Sequence, residues 1–154
     1  VFRALPPGPI DRRGPARQRI ISLAKLEATM HPVLSEYVRR TGLDEARSRR
    51  MINGLRVLQE IAANGHQPIT YKVFAEKLQP GLAPLATGAI LEDIGVFCNQ
   101  AGWPNVTCFV VSATTGECSD GFTKVSNESP AAARDAAWFA YAVYKNAPHV
   151  DDDA

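Results

Sequence analysis

The chain has 154 residues, 45% hydrophobic and 21% charged, which suits one globular domain, since single cores commonly split only above ~250 residues. No apolar run approaches the ~20 residues that a membrane-spanning helix needs. VFRALPPGPIDRR at the start also lacks the continuous hydrophobic stretch of a secretory signal.

The net charge of +1 hides an asymmetry along the chain. Residues 1–68 carry twelve Lys and Arg against six Asp and Glu, whereas residues 69–154 carry five against ten. A basic front half and an acidic rear half suggest nucleic acid or an acidic protein surface as partner for the first, and a basic protein for the second. Cys98, Cys108 and Cys118 lack metal-ligand spacing, and an odd count opposes a disulfide framework. They read as buried small apolar residues of a cytoplasmic, reducing environment, with a Cys108–Cys118 bridge as the alternative.

In chain order, residues 1–15 are rich in Pro, Gly and Arg and read as a flexible basic arm. Helical periodicity begins at Ala16 with Ile20, Leu23, Ala24 and Leu26. Pro32 interrupts it, because its ring and missing amide break an interior turn. The pattern resumes through Leu34, Tyr37 and Val38 and stops at Gly42. A further helix runs from the candidate cap Asp44 to Asn64-Gly65, with Met51, Ile52, Leu55, Leu58, Ile61 and Ala62 on its apolar face. Arg47, Arg49, Arg50 and Arg56 lie on this helix, mostly in its first half, where cations oppose the macrodipole unless an anion sits nearby. These arginines are the primary candidates for phosphate or carboxylate contacts, which the guanidinium fork suits.

Thr70 is a good cap for a helix over 71–79 with Val73, Phe74 and Leu78 inward, and Pro80-Gly81 signals a turn. The next helix starts near Pro84 and ends at Gly102, with Leu85, Ala89, Ile90, Ile94, Phe97 and Cys98 as one stripe. Gly88 and Gly95 cost this helix stability and mark possible close contacts. Residues 106–111 read as a strand, Thr114-Thr115-Gly116 as a hairpin loop, and 117–125 as a weaker second strand with a bulge or loop at Asp120-Gly121. Ser129-Pro130 opens a last helix to about residue 146, apolar nearly all round, which suggests burial on several sides or a homodimer formed through it. Residues 147–154 read as a solvated acidic tail.

The expected fold is therefore mainly α with a small β-hairpin. A winged helix-turn-helix over about residues 69–125 follows an N-terminal helical pair within 16–64 and precedes the helix 129–146. Thr70-Tyr71, then Ala75, Gly88, Pro104, Val110-Val111, Gly116 and Gly121-Phe122 resemble the winged-helix domain of alkylguanine transferases and alkyltransferase-like proteins over roughly residues 69–123. That family carries its nucleophilic cysteine in a Pro-Cys-His-Arg run, whereas here Pro104 precedes Asn105, Val106 and Thr107. The resemblance thus implies the scaffold without alkyl transfer. Tyr71 matches the family's helix-opening tyrosine, although a Thr-Tyr start is also ordinary capping. The Val-Val…Thr-Gly stretch is similar as well to small uncharacterised phage and bacterial proteins, which implies no function.

The second helix of the motif has no Lys or Arg and presents Glu92, Asp93, Asn99 and Gln100, a face that repels phosphates. Nucleic acid is expected instead at Arg47, Arg49, Arg50, Arg56, Lys72, Lys77 and Lys124. The alternative is a protein-interaction module, an adaptor or an inhibitor, docking through Glu92, Asp93, Asn99 and Gln100. No catalytic residue, metal site or cofactor is expected. His31, His66 and His149 sit in separate segments, and Glu117, Asp120 and Glu128 are ordinary for surface loops.

Overall fold

Side chains that accept otherwise free amides set most of the helix starts. Helix α1 (Pro32–Thr41) has Pro32 in its first turn, where a missing N–H costs nothing, and His31 Nδ1 accepts from the Val33 amide at 3.1 Å. Helix α2 (Glu45–Asn64) is capped by Asp44, which accepts from the Arg47 amide at 2.8 Å. Thr70 caps α3 (Tyr71–Leu78) through the Val73 amide. Helix α4 (Thr87–Ala101) is entered through a 3-10 turn, Pro84–Ala86, and closes on left-handed Gly102. After the short α5 (Asp120–Thr123), Ser129 caps α6 (Pro130–Trp138), which continues as a π-helical turn over Phe139–Val143. This computed structural model describes residues 30–65 and 67–151. The arm 1–15, the helical pattern over 16–29, His66 and residues 152–154 lie outside the described residues.

The chain is mainly helical with one two-stranded sheet. Strands β1 (Ile69–Thr70) and β2 (Val110–Val111) are parallel, pairing Ile69 with Val110 and Thr70 with Val111, so α3 and α4 form the crossover between them. The sequence suggested a hairpin here. Instead, residues 106–109 form a 3-10 turn before β2, and the expected second strand shrinks to one antiparallel bridge, Val111 to Cys118, before α5 begins. Local hydrogen bonds explain the substitution. The Asn105 side chain accepts from the Thr107 amide and hydroxyl at 3.2 and 2.6 Å, and Arg134 donates to the Cys108 carbonyl at 2.9 Å. Backbone groups that would seek a ladder are thereby satisfied without one. The turn at Thr114–Gly116 survives, with Gly116 at φ 72°.

The core is built on α2. Met51, Ile52, Leu55 and Leu58 are fully buried and meet Ile90, Leu91, Ile94 and Phe97 of α4 within one cluster. Gly54 makes the approach possible, since a Cβ there would sit 2.8 Å from Ile94 Cδ1. An edge-to-face aromatic chain, Tyr37–Phe97–Trp103–His31, joins α1 to the end of α4 with centroids 4.9–5.0 Å apart. Three apolar positions face the other way from the sequence expectation. Leu85 is 94% exposed, and Ala89 and Val73 also stand at the surface; Leu85 lies in the 3-10 turn, off the stripe that α4 then follows.

The C-terminal stretch also departs from expectation. His149–Asp151 are not a solvated tail: Val150 is fully buried, and its carbonyl accepts from the His31 amide at 2.8 Å. The last helix buries one stripe, Ala133, Ala137 and Tyr141, and leaves Phe139, Val143 and Tyr144 exposed.

Of the two glycines flagged in α4, only Gly95 marks a close contact. A Cβ on Gly95 would collide with the carbonyl of Gly121, and one on Gly121 with the carbonyl of Leu91, whereas Gly88 faces open space. Overpacking against backbone costs ~1–3 kcal/mol or more. Gly95→Ala is therefore expected to lower Tm by roughly 4–8 °C. Gly88→Ala should hold or raise it, since alanine gains up to ~1 kcal/mol of helix propensity. Paired thermal melts check the contrast, and equal effects would refute the glycine-to-glycine seam.

Candidate functional site

Two of the four candidate arginines of α2, Arg47 and Arg56, meet carboxylates inside the molecule. Arg47 forms a two-pronged pair with Asp93 of α4, Nε to Oδ2 at 2.9 Å and Nη2 to Oδ1 at 2.8 Å. Those bonds hold the guanidinium protonated even more firmly than usual. Arg56 repeats the geometry one segment away, with Nε and Nη2 each 2.8 Å from the Asp151 carboxylate and Nη1 3.0 Å from Asn53 Oδ1. The Arg56 hydrogen bonds hold the Asp151 carboxyl below its ordinary value despite partial burial. Lys124 sits 3.8 Å from Glu92 and 3.4 Å from Asp120.

Three of the seven candidate cations are therefore paired with carboxylates, and two of these carboxylates, Glu92 and Asp93, belong to the expected acidic docking face. Arg49, Arg50, Lys72 and Lys77 have no carboxylate partner among the described residues. Helices α2 and α3 bring most of these together along one side. Arg49 and Arg50 line a recess with Asp44, Glu45, Asn53 and Gln79. Lys77 lines the next recess along α2, beside Val57, Glu60 and Asn64. Lys72 is exposed on α3. Sequence reasoning missed Asn53 and Gln79, two neutral hydrogen-bonding side chains in the arginine recess. Gln79 follows the last turn of α3, where no periodicity marks it.

Asn99 and Gln100 are exposed at the far end of α4, about 20 Å from its start at ~1.5 Å per residue. Gln100 borders a shallow recess with Pro32, Glu36, Tyr37 and Arg40, whose guanidinium lies 5.4 Å over the Tyr37 ring. Between the two ends, the outward side of α4 carries Gly88, Ala89, Glu92 and Val96. With Glu92 near a Lys124 that Asp120 shares, and Asp93 held by Arg47, this side is small and less acidic than its sequence suggests.

Cys98 and Cys108 are buried and Cys118 is partly buried. Burial pushes the Cys98 thiol up to about 12 and raises Cys108 and Cys118 as well, so the reactive thiolate is suppressed. All three are free, and Cys118 Sγ donates to the Cys108 carbonyl at 3.4 Å rather than bridging to its sulfur. His31 caps α1 and His149 Nδ1 accepts from the Asp151 amide. Among the described residues, no group of three His, Cys, Asp or Glu side chains is close enough to hold a metal ion, and no helix is long and apolar enough to cross a membrane. The chain matches no protein-family model, no curated protein and no solved structure.

The Arg56–Asp151 clamp has a pH signature. A carboxyl with a depressed folded pKa contributes stability that is present above its unfolded value, near 3.8, and is lost as pH falls through the folded value. At pH 6, Asp151→Asn is expected to melt below the parent chain. The gap should close as pH drops below about 4. Melting curves across the acid range test this, and a gap that stays constant to the lowest pH would remove the clamp from the account.

Proposed function

We propose that this chain is a non-enzymatic nucleic-acid-binding protein on a winged-helix scaffold, with α3 and α4 as the helix-turn-helix and the Val111–Cys118 turn as a shortened wing. The observation that carries the reading is the distribution of spent and unspent cations. Arg47, Arg56 and Lys124 serve the fold, while Arg49, Arg50, Lys72 and Lys77 on α2 and α3 have no carboxylate partner among the described residues. Arginine forks and lysine ammonium groups arrayed in this way are suited to neutralising a phosphate backbone, and Asn53 and Gln79 add neutral donors beside them. Arg47 on Asp93 and Lys124 near Glu92 and Asp120 weaken the repulsion of a duplex by the outward side of α4.

A second reading rests on Leu85. A leucine 94% exposed at the turn into α4, followed by Ala89 and Val96 on the same outward side, suits a protein partner better than a phosphate backbone. On that reading the chain is an adaptor or inhibitor docking through α4.

Fluorescence anisotropy with a short labelled duplex, from about 25 to 200 mM salt, separates the two. Four phosphate contacts give a log–log slope of about −3 to −4. Arg49→Ala with Arg50→Ala should shrink that slope by about 2, as should Lys72→Ala with Lys77→Ala, while Asn99→Ala with Gln100→Ala leaves it unchanged. Absence of binding at the lowest salt would sink the nucleic-acid reading. Affinity that falls with Leu85→Asp but ignores the arginine pair would move the contact to α4.

A further inference from the structure

The sequence holds two Asn-Gly pairs, one inside α2 and one at its end. A glycine nitrogen has no Cβ beside it, so it can reach the carboxamide carbon of a preceding asparagine wherever the backbone is free to turn. The two pairs stand in opposite circumstances. At Asn53-Gly54 the amide belongs to the helical ladder and Gly54 is buried, with α2 pressed so closely on α4 that a Cβ would lie 2.8 Å from Ile94 Cδ1. The Asn53 side chain is also held, Oδ1 accepting from Arg56 Nη1 at 3.0 Å. Asn64, by contrast, is exposed and ends the helix. Gly65 follows it in extended backbone, where a Cβ would meet nothing within 4 Å. The Gly65 amide donates to no backbone carbonyl among the described residues. The Asn64 carboxamide is fastened by a bond from Nδ2 to Glu60 O at 2.7 Å, in the last turn, where helices fray.

We propose that Asn64-Gly65 is a self-modifying site, at which a neutral carboxamide becomes a carboxylate while the chain stays folded. Fraying of the last turn frees the Asn64 side chain. The Gly65 nitrogen then attacks Asn64 Cγ and loses its proton, the bond from Cγ to the carboxamide nitrogen breaks, and ammonia leaves. Water opens the resulting succinimide ring at either carbonyl. One product is an ordinary aspartyl linkage. The other is an isoaspartyl linkage, which runs the backbone through the side chain and lengthens the connection from α2 to β1. Both put a negative charge at the C-terminus of α2, where it opposes the macrodipole. Both also place it in the recess that Glu60 and Lys77 line. Lys77 is one of the cations in the nucleic-acid reading, but the modification does not depend on that reading.

The two pairs fall in different tryptic peptides, MINGLR and VLQEIAANGHQPITYK. Mass mapping of the full chain, incubated folded at mildly alkaline pH and physiological temperature, therefore reads each pair separately. The expected result is exchange of NH2 for OH at Asn64 at least ~10-fold faster than at Asn53, because a helix end opens at far lower free energy than a buried helix middle. The Asn64 peptide should split into aspartyl and isoaspartyl forms. In the same chain unfolded in urea the two rates should converge. Gly65→Ala should slow the Asn64 reaction roughly 10-fold, with circular dichroism unchanged because the space is open. Equal rates at the two pairs in the folded chain overturn the proposal, as does an Asn64 that stays intact. So does a product without the isoaspartyl form, or a gap between the pairs that persists in urea.

Discussion

The buried amide of Gln59 fixes how the two ends of the described chain close on each other. It is fully inaccessible to solvent, on the polar side of the pattern that α2 shows in sequence. Its Nε2 donates to the Tyr141 hydroxyl at 2.9 Å and, more weakly, to the Pro148 carbonyl at 3.3 Å, and its Oε1 accepts from the Val150 amide at 2.9 Å. Tyr141 in turn donates to Pro148 O at 2.8 Å, and burial raises its pKa well above the ordinary tyrosine value. An amide buried without partners costs several kcal/mol, roughly 1–3 by mutational measure. Residues 148–150 are thus held where they complete it. Val150 O then receives the His31 amide, and His31 meets Trp103 at the end of the aromatic chain through Phe97 to Tyr37. One polar side chain in the middle of α2 positions the last helix, the C-terminal segment and the start of α1.

Part of the charge asymmetry along the sequence is neutralised in space. Arg47 and Arg56 come from the basic half, Asp93 and Asp151 from the acidic half, and each pair joins distant segments. Exposed ion pairs contribute little, typically ~0–1 kcal/mol, though two-pronged arginine geometry is at the favourable end. Their larger consequence is subtraction. Each internal pair removes a cation that the linear count had assigned to a partner, and Arg47–Asp93 also removes a carboxylate that had made α4 look repulsive. What remains outward is a smaller set of cations on α2 and α3, interspersed with Asp44, Glu45, Glu60 and Glu76.

Local chemistry was readable and remote chemistry was not. Asp44, Thr70 and Ser129 were legible as caps because the amides they satisfy lie three residues on, and Gly102 because a left-handed helix end needs glycine. The apolar face of α2 was legible from its period. The second strand of the hairpin was not, because what replaces it depends on Gly95 and Gly121 meeting backbone to backbone across twenty-five positions. Nor was the fate of the charge pairs, since neither Arg47 nor Asp93 carries a local sign of the other. Gln59 was invisible for the same reason: a glutamine at a polar helical position looks solvated until the segment that covers it is placed. The last helix was read as buried on several sides or in a homodimer, whereas within the chain Tyr141 turns inward and Phe139 with Tyr144 outward.

Size then constrains any role in nucleic-acid binding. Four candidate cations on α2 and α3 without carboxylate partners among the described residues make a small electrostatic footprint, so a chain relying on them would lose most of its affinity at physiological salt. The selectivity open to such a chain would then lie in the spacing of the phosphates it meets, since the small outward side of α4 offers little with which to read bases.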